Sequence, residues 1–156
     1  MTTPTTLSLA TIEQLLRSAG REPVEVLAPD GKPMLGLMLQ RGGEKTPALI
    51  QLGTSDNYLS MHTVITSLPL DRFVGEYVMH YVPEMNSVNR SIRAGISMKN
   101  GDLVLIFDTF LMDMTPTAAW LSRHLDELAF YATCVRDVVR QAERHLADEE
   151  DDNSNG

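Results

Sequence analysis

Between Leu121 and Leu146 apolar side chains return at steps of four, three, four, three, four, three and four: Leu121, Leu125, Leu128, Ala132, Val135, Val139, Ala142 and Leu146. That spacing keeps one stripe on one face of an α-helix. Thr115 is the expected N-cap, because its hydroxyl can accept from a free amide of the first turn. Pro116 then takes the first helical position, where a missing N–H is harmless. Arg123, Asp126, Glu127, Arg136, Asp137, Arg140 and Arg144 fall off the stripe. Arg136, Arg140 and Arg144 lie in the second half, where the carbonyl end of the helix dipole favours cations. A helix with such a stripe has to be seated on something. Two alanines interrupt the seam and strong strands stand beside it, so a sheet is the expected seat rather than a coiled-coil partner.

The strands are in residues 92–113. Asn100-Gly101 between two β-rich runs is the cue for a type I′ hairpin, which needs positive φ at both turn positions. A two-residue loop there sets Lys99 opposite Asp102, Met98 opposite Leu103, Ile96 opposite Leu105 and Ala94 opposite Phe107. On the reverse face Ser97 meets Val104, Gly95 meets Ile106 and Arg93 meets Asp108. Two opposite-charge pairs result, Lys99–Asp102 and Arg93–Asp108, each contributing a few tenths of a kcal/mol. Ile96, Met98, Leu103, Leu105 and Phe107 then form a clean core face, and the long helix is expected to pack there.

The remaining elements follow from local signals. Thr11 or Ser8 can cap a short helix to about Ala19, with Ile12, Leu15 and Leu16 on one face and Gly20 as its stop. Strands are expected over 23–28, 34–40, 48–52 and 58–68. The turns between them are Pro29-Asp30-Gly31-Lys32, a polar turn over 41–45 and a loop over 53–57. Phe73, Val74, Tyr77, Val78 and Tyr81 give a middle helix from Asp71 to about Val82, limited by Pro83 beyond its end. Asp148 to Gly156 is five acids and small polar residues, so 1–147 reads as one domain and 148–156 as a disordered acidic tail.

At 156 residues the chain is long enough to bury a real core, and its net charge is −8. An acidic surface repels nucleic acid and anionic lipid, so neither is expected as a direct partner. One cysteine, Cys134, forms no internal disulfide, which fits a reducing compartment. No apolar run reaches the roughly 18 residues of a membrane span, and the first residues lack a signal-peptide pattern. The expected location is cytoplasmic.

Catalytic signatures are missing. His62, His80, His124 and His145 are scattered, with no HExxH and no zinc spacing, so neither a metal nor another cofactor is expected. There is no GxSxG, Walker loop or GxGxxG, and Gly42-Gly43 reads as a hairpin turn. Cys134 reads as a buried structural thiol. The informative surface is the second hairpin face, which keeps Val104, Ile106, Phe110 and Met112. Either another helix, residues 71–82 being the candidate, covers them, or they form a dimer or client surface.

Element order and motifs together resemble a known family. The stretch EYVMHYVPEMNSVNRSIRAGISMKNGDLVLIFDTFLMDMTPTAAWLSRHLDELAFYA carries a helix, a junction with Asn86 and Asn89, the strand from Ile92, Asn100-Gly101, the apolar strand from Leu103 and the Thr115-Pro116 helix start. This pattern resembles the YbjN-like family, which shares its fold with the type III secretion chaperones. The resemblance implies an α+β domain: an antiparallel sheet of about five strands flanked by helices, in the order α-β-β-β-(β)-α-β-β-α. It also implies a non-enzymatic protein-binding module, a homodimer holding a partner or client segment. A small-ligand sensor and an enzyme with a cryptic site, using Asp108 with Arg93 or a histidine, are the alternatives.

Overall fold

The structure is a computed structural model that describes residues 7–53, 58–65, 72–88, 92–96, 102–111 and 114–154. The elements, in chain order, are α1 (Leu9–Ser18), β1 (Val24–Leu27), β2 (Pro33–Arg41), β3 (Glu44–Leu52), β4 (Tyr58–Val64), α2 (Arg72–Val88), β5 (Ile92–Ile96), β6 (Leu103–Phe110) and α3 (Ala118–Ser154). Six strands form one antiparallel sheet in the order β1-β2-β3-β4-β6-β5. The α+β order expected from the sequence is the order observed, with the bracketed strand present as β4.

Local chemistry explains most boundaries. Ser8 caps α1 by accepting the Thr11 N–H at 3.1 Å, and Gly20 at φ 80° ends that helix as a residue without Cβ can. Gly42 and Gly43 both have positive φ, 55° and 80°, and Arg41 pairs with Glu44 across them. This two-residue loop lengthens β3 at its start, from the expected residue 48 back to Glu44.

Alternation along the strands sends one set of side chains into a single core. Leu35, Leu37, Leu39, Ala48, Ile50, Leu59, Met61, Leu103, Leu105 and Phe107 are buried on one side of the sheet. All three helices lie on that side. Ile12 and Leu16 come from α1, Val74, Val78, Val82 and Met85 from α2, and the α3 stripe from Leu121 to Ala142. The stripe expected of α3 is thus the face that meets the sheet, with His124, Ala129 and Val138 added to it and Leu146 half-buried past its end.

Several boundaries differ from those read in the sequence. The N-cap of α3 is Thr117, whose hydroxyl accepts the Trp120 N–H at 3.1 Å, so Thr115 and Pro116 precede the helix. At its far end α3 continues to Ser154, and the acids expected to form a disordered tail from 148 make its exposed last turns. Extending a formed helix adds a hydrogen bond per residue without a new nucleation step, which favours continuation. Pro83 lies inside α2 rather than beyond it. The helix survives there because its later residues are anchored: Met85 is buried, and Asn86 bonds the β5 backbone.

The hairpin register also differs. Ile96 pairs with Leu103, Ala94 with Leu105, Arg93 with Ile106 and Ile92 with Phe107, a slip of two residues from the two-residue-turn register. Asn100-Gly101, Lys99 and Met98 lie outside the described residues. A slip of two preserves which side each residue faces, so Leu103, Leu105 and Phe107 still point to the core. It removes the expected Arg93–Asp108 pairing: Arg93 instead donates to the Asn86 backbone carbonyl at 3.0 Å, and Asp108 sits opposite Ser60 of β4.

Candidate functional site on the uncovered sheet face

With α1, α2 and α3 on one side, the other side of the sheet is left uncovered among the described residues. The helix expected at 71–82 as a possible cover packs on the core side, against α3 and β5. The alternation that buries odd-numbered residues of β6 turns Val104, Ile106, Asp108 and Phe110 outward. Val104 and Ile106 are half-buried, and Phe110 is 65% exposed. Met112, the fourth residue singled out for this surface, lies outside the described residues. Met38 on β2 and Val24 on β1 extend the apolar face, 57% and 63% exposed. Isolated exposed apolar side chains are ordinary, but a row across several strands is not.

A polar group sits within this face, built by the pairing of β4 with β6. Tyr58 lies opposite Phe110, Ser60 opposite Asp108 and His62 opposite Ile106. The Tyr58 and Phe110 rings meet edge to face with centroids 4.9 Å apart. Hydrogen bonding to the Asp108 carboxylate, ahead of burial, holds the Tyr58 phenol above its usual pKa. His62 is pulled down by its partial burial, and the Asp108 charge only partly offsets that. Gln51 and Gly53 of the neighbouring strand and loop close the edge of a half-open depression of about 370 Å³ over Ser60, Val104 and Asp108.

The other singled-out residues are elsewhere. His80 is exposed on α2, and His145 is exposed with Nε2 at 3.5 Å from Glu149. His124 is buried, stacked on Phe107 at 4.2 Å and edge-on to Trp120 at 4.4 Å. Burial lowers its pKa first, with Glu127 acting against it. Cys134 is half-buried on α3, and burial raises its thiol pKa. Among the described residues no group of three His, Cys, Asp or Glu side chains is placed to hold a metal ion. No helix among them is long and apolar enough to cross a membrane.

Asn86 has a structural job. Its side chain accepts the Ala94 N–H at 3.0 Å and donates to the Ala94 carbonyl at 3.2 Å, tying α2 to the outer edge of β5. Arg136 and Arg140, expected as helix-end cations, reach instead to the β2–β3 hairpin. Arg140 meets Glu44 at 2.6 Å, and Arg136 donates to the Thr46 hydroxyl at 2.5 Å.

No family model matches the chain, and no curated protein does. Among solved structures it is similar to YbjN of E. coli, described as a proposed transcription regulator. The two align with a TM-score of 0.63 over 92% of this chain and 97% of that one, at 17% sequence identity. Aligned over nearly the whole length of both chains, this chain has the YbjN-like fold.

Proposed function

We propose that this chain is a non-enzymatic, cytoplasmic protein-binding module, a regulatory or chaperone-like adaptor acting as a homodimer, whose uncovered sheet face is its contact surface. One observation carries the reading: all three helices pack on one side, and the opposite side presents Val104, Ile106 and Phe110 outward. The similarity in fold to a protein described as a proposed transcription regulator is consistent with a regulatory role.

Sedimentation equilibrium of the full chain, with Ile106→Glu and Phe110→Glu beside it, tests this. The wild type should sediment at twice its 17.3 kDa, and the charged variants should lose dimerisation or partner capture while keeping wild-type circular dichroism. A monomeric wild type contradicts the homodimer. Variants that unfold contradict the contact surface, because the face would then be core. The depression beside Asp108 favours a second reading, a small-ligand sensor, which ligand-dependent melting shifts across a metabolite panel would reveal.

A further inference from the structure

We infer that the uncovered face takes its partner through a basic side chain, a lysine or arginine of an extended segment, seated in the depression over Asp108 beside Tyr58 and His62. The inference rests on reading this face as a contact surface and adds the chemistry of what it holds.

The residues of β6 supply the first argument. Val104, Ile106 and Asp108 follow one another on one face at intervals of about 7 Å, so two apolar side chains lead up to one carboxylate. Lysine and arginine have the complementary form, an apolar stem ending in a cation. The stem can lie over Val104 and Ile106 while the head reaches Asp108. Tyr58 lines the same depression as Val104, Ile106 and Asp108.

The charge of Asp108 is available. Its expected cross-strand partner, Arg93, pairs with Ile106 and donates to Asn86. Among the described residues no lysine or arginine forms an ion pair with it. Tyr58 approaches as a neutral hydroxyl, and His62 is held toward its neutral form by burial. An anionic ligand would meet an uncompensated carboxylate. A basic segment is drawn toward a chain of net charge −8.

The test is a nuclear magnetic resonance titration of the ¹⁵N-labelled full chain with three blocked tripeptides, Leu-Arg-Leu, Leu-citrulline-Leu and Leu-Glu-Leu. Citrulline keeps the shape of arginine without its charge. The arginine peptide should shift the amides of His62, Ile106 and Asp108, and should bind about three- to fivefold more tightly than the citrulline peptide, the size of a part-exposed ion pair. Asp108→Asn, which keeps an acceptor for Tyr58, should erase that difference at an unchanged melting temperature. Equal shifts with arginine and citrulline, or a difference that survives Asp108→Asn, overturn the basic side chain and leave the contact surface standing. If no peptide perturbs the face while Ile106→Glu dissolves a dimer, the occupant is a second copy and the inference is overturned.

Discussion

Replacing Asn86 by alanine removes the two hydrogen bonds that hold the outer edge of β5. The Ala94 N–H loses its acceptor at 3.0 Å and the Ala94 carbonyl its donor at 3.2 Å. A net contribution of about 0.5–1.5 kcal/mol for each bond gives about 1–3 kcal/mol for the pair. Alanine is the better helix former, which returns roughly 0.5 kcal/mol. The bond from Arg93 goes to the Asn86 main chain and remains. The expected loss is therefore about 0.5–2.5 kcal/mol, read as a lower urea midpoint at an unchanged slope. The Ala94 amide should also exchange with solvent faster, since its protector is gone. Ser87→Ala is the control, because Ser87 bonds within its own helix, to the Glu84 carbonyl at 2.7 Å, and it should change stability by less than about 0.5 kcal/mol. An Asn86→Ala variant as stable as wild type, with Ala94 exchange unchanged, would refute the clamp and leave the β6 ladder alone to hold the edge strand.

Three further outcomes follow from the packing and the caps. Leu105→Ala, at a fully buried position between β4 and β5, should destabilise by about 2–5 kcal/mol in the same urea assay. Thr117→Ala should cost about 1 kcal/mol and Thr115→Ala under about 0.5 kcal/mol, because Thr117 supplies the cap of α3. Burial lowers the pKa of His124, so the folded state favours its neutral ring; its contribution is complete above the unfolded value of about 6.5 and is lost as pH falls below it. Urea midpoints at pH 5.5 and 7.5 should differ less in His124→Phe than in wild type, with His62 supplying part of the remaining slope in the same direction.

What could be read in advance was what depends on period. The α3 stripe from Leu121 to Ala142 is a helical repeat, and Leu103, Leu105 and Phe107 alternate, so their buried faces follow from the sequence alone. The outward set Val104, Ile106 and Phe110 follows from the same alternation. Register was not legible, because the β5 edge is bonded at Ala94 by Asn86, a side chain on a helix eight residues earlier. Pro83 and the end of α2 misled for the same reason: the anchors of that helix, Met85 and Asn86, are tertiary. Gly42-Gly43 was recognised as a turn, but its two positive φ values make it shorter than the five polar residues around it suggested. The grouping of Tyr58, His62 and Asp108 was the least visible. It needs β4 beside β6, a pairing that leaps over α2 and β5 and leaves no local trace. The one available signal was Tyr58, Ser60 and His62 at alternate positions of a strand, polar where a doubly covered strand would be apolar.

Whether the second sheet face is open in a single subunit can be measured by maleimide labelling of Ile106→Cys in a Cys134→Ser background. At protein concentrations low enough to keep the 17.3 kDa chain monomeric, the new thiol should react within about tenfold of the rate of a free cysteine, while Ala48→Cys on the buried face should stay protected until the chain unfolds. An Ile106→Cys thiol as protected as Ala48→Cys in that monomer would mean that the face is sealed within the chain, and the contact surface would lose its physical basis.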